Sequence, residues 1–261
     1  MELEQMVVQV AGHCRVVGAW MKEQTLIAGQ EELKSHNNLV TYVDRQAEHR
    51  LVQALLAIEP GAGIIAEEGT GAPNVGGLNW VIDPLDGTTN FIHGLPLWCI
   101  SIALVDGTEP LLGVIHDPNS NECFTAVAGG GAHLNQEKIH VSSPRELLNS
   151  LIATGFPYDD FGREKSYMQL LQSVMHTTRG VRRLGSAAID LAWVACGRFE
   201  AFYEYGLNAW DVAAGALIVR EAGGTVTGFS PSTDPIFGEE ILASNGAIHD
   251  ELLRQVHLYF S

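Results

Sequence analysis

The sequence is poor in basic residues, and this shortage excludes several kinds of partner. Its 261 residues carry 15 Lys and Arg against 31 Asp and Glu, a formal charge of −16. An excess of negative charge repels phosphate backbones and anionic lipid surfaces, so we expect no direct nucleic-acid or membrane partner. Hydrophobic residues make up 46% and charged residues 18%. This is the composition of a folded globular chain rather than a disordered one.

Paired cysteines and long apolar runs are also lacking. The four cysteines lie far apart and form no CxxC pair, which argues against a disulfide framework and for a reducing compartment. The longest uncharged stretch, Gly87 to Val105, is interrupted by polar residues, glycine and proline, unlike a membrane span. Residues Met1 to Gln5 lack the basic start of a signal peptide. We therefore expect a soluble, cytoplasmic protein.

Several catalytic motifs are missing from the sequence. It contains no HExxH pair for zinc, no GxxxxGK[ST] phosphate loop and no DxD nucleophile. Zinc-protease and P-loop chemistry are therefore disfavoured, as is a phosphatase that uses an aspartate nucleophile.

Periodicity predicts an α+β first half. Apolar residues recur at three- and four-residue steps from 3 to 27, and Asp44 to Ile58 forms a second helical pattern that ends before Pro60. Residues 28–38, between these helices, are polar and are predicted to form an exposed, mobile loop. Short apolar runs between 63 and 127, separated by turn residues, are typical of a mostly antiparallel sheet.

Strands and helices alternate after about residue 150, which favours layers of helices and sheets. The predicted helices are 164–176, 187–195, 212–222 and 247–258, and the predicted strands are 151–154, 181–184, 201–204, 225–227 and 241–243. We expect two lobes, 1–145 and 146–261, that form one integrated unit.

Two carboxylates follow an apolar strand on one tight turn. Trp80 to Ile82 leads into Asp83-Pro84-Leu85-Asp86-Gly87-Thr88-Thr89-Asn90. Pro84 biases Asp83 towards extended geometry and Gly87 permits a turn that other residues resist, so both carboxylates can face one point. Held close, they repel unless a cation lies between them. Because their ligand atoms are oxygens, the pattern indicates Mg²⁺, for which Mn²⁺ could substitute.

The residues after Asp86 can hold a phosphate. Gly87-Thr88-Thr89-Asn90 places consecutive N–H groups at the start of a short helix, together with two threonine hydroxyls. An Asp-Gly pair alone is usually only a turn, but the whole string favours a binding site. Cations held by the carboxylates would reverse the local field, so an acidic protein could still bind a phosphate dianion.

Two further acidic positions are weaker signals by themselves. Glu67 stands next to Glu68 after a short strand, a pattern that is usually a solvated turn. Asp211 precedes a predicted helix and has the local pattern of its N-cap. The small residues from Ala213 to Gly215 indicate close packing of that helix's first turn.

Taken together, these segments resemble the inositol monophosphatase family of Mg²⁺-dependent, lithium-sensitive phosphatases. The likeness covers nearly the whole chain in the family's order and lies in Leu39 to Glu48, Ile65 to Gly69 (IAEEG), Trp80 to Phe91 (WVIDPLDGTTNF), Gly185 to Ala188 and Trp210 to Gly224 (WDVAAGALIVREAGG). Many members have glycine in place of Ala66. The resemblance implies a layered αβαβα sandwich that joins an α+β half to an α/β half, as in fructose-bisphosphatases. It also implies a homodimer.

The resemblance implies metal-binding and catalytic roles. The implied ligands of two or three Mg²⁺ ions are Glu67, Asp83, Asp86, Asp211 and the carbonyl of Leu85. Glu67 and Thr88 would orient the attacking water, and Asp44 would support Thr88. The first metal and phosphate motif then lies in the lobe 1–145 and the second metal motif in the lobe 146–261.

Substrate contacts are implied on both lobes. They are expected at Asp86, Gly87, Thr88, Gly185, Ser186, Ala187, Glu204 and Asp211. Lys34 lies in the loop that approaches the site in relatives, although the loop spacing differs here.

The implied reaction is hydrolysis of a phosphate monoester by direct attack of water, with a phosphorylated polyol or sugar as substrate. Inositol 1-monophosphate is favoured, because Arg182 to Ala188 and Glu204 to Leu207 are similar to polyol-facing segments of the family. Fructose-1,6-bisphosphatase, 3′(2′),5′-bisphosphate nucleotidase and histidinol-phosphatase share the metal site and stay open as alternatives. A second alternative is a non-enzymatic partner of RNA-processing or transcription machinery, against which the complete carboxylate set argues.

Overall fold

The computed structural model describes residues 2–24, 32–33, 39–157 and 161–260. In these ranges the helices are α1 (Leu3–Lys22), α2 (Tyr42–Ile58), α3 (Thr88–Ile92), α4 (Glu164–Thr177), α5 (Ala187–Ala195), α6 (Ala209–Glu221) and α7 (His249–Tyr259). The strands are β1 (Glu32–Leu33), β2 (Leu39–Val40), β3 (Gly63–Ala66), β4 (Leu78–Asp86), β5 (Cys99–Asp106), β6 (Glu109–Asp117), β7 (Glu122–Val127), β8 (Gly131–Leu134), β9 (Glu137–Lys138), β10 (Leu151–Thr154), β11 (Gly180–Arg182), β12 (Ala201–Tyr205), β13 (Thr225–Thr227) and β14 (Glu240–Ser244). A short 3₁₀ helix covers Leu147–Asn149.

Two sheets form the frame of the molecule. The first has the order β3-β4-β5-β6-β7-β8-β9 and is antiparallel except for the parallel β3–β4 pair. The second has the order β11-β10-β12-β14-β13, in which β10 runs parallel to both of its neighbours. The first sheet is therefore mostly antiparallel, as predicted.

Helices cover both sheets in five layers. Helices α1 and α2 pack on the outer face of the first sheet, α5 and α6 lie between the sheets, and α4 and α7 pack beside the second sheet. Three apolar cores fill the spaces between the layers: one lies between α1, α2 and the first sheet, one surrounds α5 and α6 between the two sheets, and one lies between the second sheet and α4 and α7. This is the αβαβα sandwich expected from the resemblance.

The central helix α6 is apolar around most of its surface because it faces a sheet on each side. Two glycines allow its close packing. A Cβ on Gly215 would lie 2.6 Å from the Cβ of Leu191 in α5, and one on Gly113 would lie 2.9 Å from the carbonyl oxygen of Ala214. The small residues at the start of α6 thus set how deeply it is inserted between the layers.

The structure differs from the predictions in several places. The first helix ends at Lys22 rather than at residue 27, and residues 25–27 lie outside the described residues. The predicted loop 28–38 includes the short strand β1, which pairs with β2. The rest of that loop, Lys34 included, also lies outside the described residues. The lobe boundary near residue 145 stays a prediction and falls between the last strand of the first sheet and β10.

Membrane-spanning helices and disulfides were both considered in the sequence, and the described residues give a finding on each. None of their helices is long and apolar enough to cross a membrane. All four cysteines are free thiols, and Cys14, Cys99 and Cys123 are buried in the core.

Candidate active site

A cavity of about 300 Å³ opens between the two halves of the molecule. One side is formed by the ends of β3 and β4 and the start of α3, and the other by the starts of α5 and α6 and the end of β12. Both sides carry predicted site residues, which on the cavity wall are Glu67, Asp86, Gly87, Thr88, Gly185, Ser186, Ala187, Glu204 and Asp211. The predicted residues Asp44, Asp83 and Leu85 lie just behind this wall and are buried.

The end of β4 turns sharply, as the Asp-Pro-Leu-Asp-Gly string predicts. The pairing of β4 with β5 shifts register between Asp83 and Asp86, and the Leu85 N–H donates to Asp83 Oδ1 at 2.9 Å. Gly87 follows with φ +92°, and a Cβ there would lie 2.8 Å from the carbonyl oxygen of Leu97. Only glycine fits this turn, which brings the peptide groups of α3 to the cavity.

Asp86 is fixed by the start of α5. The Ser186 hydroxyl donates to its Oδ2 at 2.6 Å, and the Ala188 N–H donates to the same oxygen at 2.7 Å. Burial raises the pKa of Asp86 to about 6, and the hydrogen bond from Ser186 opposes that rise. These bonds tie the first sheet to the second half of the chain at the site itself.

Thr88 is oriented by a buried carboxylate. Its hydroxyl lies 3.0 Å from Asp44 Oδ1 and 3.0 Å from the carbonyl oxygen of Leu85. The other carboxylate oxygen of Asp44 accepts the N–H of Thr41 at 2.9 Å, in a capping box that begins α2. Burial raises the pKa of Asp44, while hydrogen bonds from Thr41 and Thr88 lower it. Asp44 thus lies at hydrogen-bonding distance from the Thr88 hydroxyl, and its catalytic support of Thr88 stays a prediction.

Glu67 lies half-buried on the cavity wall just after β3. The turn that carries it is held from α2 by Glu48, whose side chain is fully buried. Glu48 Oε2 accepts the N–H of Glu68 at 2.7 Å, and its Oε1 accepts the N–H of Thr70 at 2.9 Å. The adjacent pair of acids is thus part of an anchored turn at the cavity rather than a freely solvated one.

The far side of the cavity carries three more acids. Asp211 lies within the first turn of α6 and accepts the N–H of Asn208 at 2.7 Å, so Asn208 is the N-cap and the N-cap interpretation of Asp211 was wrong. Glu204 projects from β12 and is 5% exposed. Asp190 in α5 is buried on the wall, and its Oδ1 has no hydrogen-bond partner among the described residues.

The carboxylates act on one another electrostatically. Burial raises the pKa of Asp83 well above its ordinary value, and the charges of Glu67, Asp86 and Asp211 raise it further. Burial and then the charge of Asp86 raise the pKa of Asp211 in the same way. A cation placed among these groups would offset both costs.

The donor chemistry of this cluster fits a hard cation. Four carboxylates and the Leu85 carbonyl supply oxygen atoms alone, which suits Mg²⁺ or Mn²⁺. As the described side chains stand, however, no three His, Cys, Asp or Glu residues are grouped closely enough to hold a metal ion.

Some residues of the wall were missed by the sequence reasoning as site residues, among them Thr89, Gly155, Asp190, Gly206 and Glu239. Thr89 lies in the Asp83–Asn90 string and Gly206 in the segment Glu204–Leu207, although neither was singled out there. Gly155, Asp190 and Glu239 belong to no string with a chemical signature. Arg183, which belongs to the segment Arg182 to Ala188, also lies on this wall. Its charge opposes the rise in the pKa of Glu204 that burial and Asp211 cause.

The layered fold and the carboxylate-lined cavity together define a metal-dependent phosphatase class, and comparison with known proteins agrees. The profile of the inositol monophosphatase family matches residues 2–259. The chain belongs to this family, which is a family of Mg²⁺-dependent phosphatases acting on phosphorylated substrates.

Curated relatives carry two different names. An inositol-1-monophosphatase of Mesorhizobium japonicum is 41% identical over 228 residues, which cover 87% of this chain and 86% of the relative. A Nus factor SuhB of Xylella fastidiosa is 45% identical over 202 residues, covering 77% and 73%. Among solved structures, the inositol monophosphatase of Anabaena (Nostoc) sp. PCC 7120 matches with a TM-score of 0.85 and 36% identity, covering 99% of this chain and 98% of that one.

Proposed function

We propose that this protein hydrolyses inositol 1-monophosphate by direct attack of water, with Mg²⁺ as cofactor. The observation that carries the proposal is the single cavity on which Glu67, Asp86, Thr88, Glu204 and Asp211 meet. Acidic groups for a cation, a fixed hydroxyl and a buried acceptor for an alcohol are all present there. The Mesorhizobium relative named inositol-1-monophosphatase supports the choice of substrate.

The metal ligands we propose are Glu67, Asp83, Asp86, Asp211 and the carbonyl oxygen of Leu85, with two or three ions per site and Mn²⁺ as a substitute. When bound, Mg²⁺ supplies positive charge against the phosphoryl oxygens and makes water a stronger acid. The remaining tasks fall to the protein's own groups.

Thr88 and Glu67 position the attacking water. The Thr88 hydroxyl has two acceptors for its single proton, Asp44 Oδ1 and the Leu85 carbonyl oxygen, each at 3.0 Å. Donation to either leaves the hydroxyl lone pairs free to accept a hydrogen bond from water. The Glu67 carboxylate accepts a hydrogen bond from the other O–H of that water. Because the nucleophile is water, no covalent phosphoenzyme forms.

Phosphate and leaving alcohol occupy opposite sides of the cavity. The N–H groups of Gly87 and Thr88 precede the first full turn of α3 and have no helical acceptor, so they can donate to phosphoryl oxygens. On the other side, Glu204 and Asp211 accept hydrogen bonds from the hydroxyls of the alcohol. Gly185, Ser186 and Ala187 present small side chains there and leave room for a polyol ring.

Phosphate release from a panel of esters tests both the class and the substrate. The panel contains inositol 1-phosphate, fructose 1,6-bisphosphate, adenosine 3′,5′-bisphosphate and histidinol phosphate, each with Mg²⁺ and with EDTA. We expect the highest kcat/KM for the inositol ester and no turnover in EDTA. A higher kcat/KM for another ester would assign the protein to that branch, and turnover that persists in EDTA would contradict the metal site.

Replacing Thr88 by valine tests the role of its hydroxyl. Valine keeps the shape of the side chain but cannot accept a hydrogen bond from water, so kcat should fall by about 10²–10⁴-fold with little change in KM. Thr125→Val, in β7 and away from the cavity, is the matched control and should retain activity. If Thr88→Val keeps the kcat of the native protein, Thr88 does not orient the nucleophile.

A second candidate function follows from the relative named Nus factor SuhB. At 45% identity it is as similar to this chain as the phosphatases are, so we propose partnership with transcription machinery as the alternative. Asp83→Asn separates the two functions, because it removes a charge that the hydrolytic site needs and leaves the surface unchanged. A cellular role that survives this substitution is not hydrolytic.

We also propose a homodimer, as the family resemblance implies. Sedimentation equilibrium of the purified chain tests this, and a mass equal to one chain at all concentrations would contradict it.

A further inference from the structure

Glu204 stands at the part of the cavity that we assign to the leaving alcohol, and its position depends on a glycine. Gly155 follows β10, and Glu204 lies on β12, the parallel neighbour of β10. The two strands pair Thr154 with Tyr203, so Gly155 comes next to Glu204. Both residues line the cavity, and both are buried.

The carboxylate of Glu204 occupies the place where a side chain on residue 155 would begin. A Cβ built on Gly155 would lie 2.0 Å from the carboxyl carbon of Glu204 and 2.0 Å from each of its oxygens. Such separations are far shorter than any van der Waals contact. The space exists only because residue 155 has no side chain.

The backbone at Gly155 is not free to move away. The Tyr167 hydroxyl donates to the Gly155 carbonyl at 2.5 Å, and the Thr154 hydroxyl donates to the Tyr203 carbonyl at 2.7 Å. Tyr167 belongs to α4, and its side chain is fully buried in the core between that helix and the second sheet. A methyl group at position 155 therefore has to displace the end of the Glu204 side chain, and the open side is the cavity.

We propose that Gly155 is a positioning residue that seats the Glu204 carboxylate and thereby sets which alcohols the cavity accepts. The proposal rests on the function proposed above. Alcohols with a hydroxyl aimed at the seated carboxylate are accepted, because a buried acceptor discriminates strongly between substrates that satisfy it and those that do not. Gly155 touches no substrate itself and acts through Glu204.

Gly155→Ala tests the proposal with two esters of different leaving groups. Inositol 1-phosphate offers hydroxyls to Glu204, whereas p-nitrophenyl phosphate offers none. We expect kcat/KM for the inositol ester to fall by about 10–100-fold, as misplacement of a contact by about 1 Å can cause. The rate with p-nitrophenyl phosphate should change little. Gly12→Ala in α1, where a Cβ would meet nothing within 4 Å, is the control and should match the native protein with both esters.

A double-mutant cycle with Glu204→Ala shows whether Gly155 acts through this carboxylate. Once the carboxylate is gone, adding Gly155→Ala should change kcat/KM by less than about twofold, within the scatter of additive sites. The proposal would be overturned if the two substitutions lowered kcat/KM independently, so that their effects multiplied in the double variant. It would also be overturned if Gly155→Ala lowered kcat/KM equally with both esters. Failure of the double variant to fold would overturn it too, since the methyl group would then clash with something other than Glu204.

A crystal structure of Gly155→Ala separates this proposal from the assigned substrate. We expect the Glu204 carboxylate to be shifted into the cavity, with Gly155's neighbours on β10 and β12 unmoved. If the Glu204 carboxylate stays in place and the backbone at residue 155 moves instead, Gly155 does not position Glu204, even if the substrate assignment is right. Absence of turnover of either ester by the native protein would contradict the proposed function, and the crystal structure would still decide the seating.

Discussion

Single buried side chains hold the acidic turns of this site in place. Glu48 is the clearest example, because it touches no part of the cavity but binds the two N–H groups that follow Glu67. Asp44 does the same for Thr88, and Ser186 for Asp86. The family resemblance implied the role of Asp44, whereas the bonds from Glu48 to the Glu67 turn and from Ser186 to Asp86 appear only in the structure.

Glu48→Gln should weaken both activity and stability. The glutamine side chain keeps one acceptor oxygen but turns an NH₂ group towards the other N–H, so one buried hydrogen bond is lost. We expect the free energy of unfolding to fall by about 1–3 kcal/mol and kcat to fall with it. Urea unfolding and steady-state kinetics measure these changes.

Glu59→Gln is the matched control for this change. Glu59 follows the same helix, and among the described residues its side chain accepts the exposed Gly61 N–H alone, at 3.4 Å. Glu59→Gln should leave the free energy of unfolding and kcat unchanged. Equal effects of the two substitutions would mean that Glu48 has no special role in holding the Glu67 turn.

At the scale of elements, the sequence predicts those helices and strands whose apolar residues form a run between turn or breaker residues, and it misses short elements without such a run. The helix at 187–195 and the strands at 151–154 and 225–227 have the predicted bounds, because each has a clear pattern and clear breakers. Strands β8 and β9 were not predicted, since Gly131–Leu134 and Glu137–Lys138 are short and lack alternation. The motif residues were found because they are contiguous, whereas Gly155 and Asp190 reach the cavity only through tertiary packing.

The packing of α6 on α5 predicts a stability effect for Gly215→Ala. The added methyl group would meet Leu191, including its Cβ, which cannot rotate away. Overpacking of this kind costs about 1–3 kcal/mol, and because Asp211 lies on the same helix, activity should fall as well. Thermal and urea unfolding measure the loss of stability.

Gly12→Ala again provides the comparison, now for helix propensity. It places the same methyl group in the open middle of α1 and should be neutral or stabilising by up to about 1 kcal/mol. A Gly215→Ala variant as stable as the native protein would show that α6 can shift to accept the methyl group.

At the scale of the whole molecule, buried titratable groups make stability depend on pH. Burial lowers the pKa of His249 below its ordinary value of 6.5, and its ring nitrogens lie 2.9 Å from the Ser244 hydroxyl and 3.1 Å from the Thr227 hydroxyl. Asp83 and Glu204 have the opposite effect on stability. Their pKa values are raised in the folded chain, so their contribution to the free energy of unfolding increases as the pH falls.

Comparison of the native protein with His249→Gln isolates the contribution of His249 to the pH dependence of stability. Below pH 6.5 the unfolded chain binds a proton at His249 that the folded chain does not, so His249 destabilises the fold as the pH falls from 6.5 towards its lowered pKa. The native protein should therefore lose more stability than the variant across this window, as measured by urea unfolding at several pH values. Parallel curves for the two proteins would contradict the burial of a neutral imidazole.

The position of α6 in the middle layer has a consequence for how the protein is made. The first sheet is complete along the chain at Lys138, but α6, which covers more of its inner face than α5 does, begins only at Ala209, 71 positions later. At about 5–20 residues per second, a ribosome needs about 4–14 s to cross that distance. During this interval the growing chain carries a finished sheet with an uncovered apolar face. Because of this order of elements, the apolar face of the first sheet needs protection from aggregation until α6 has been synthesised.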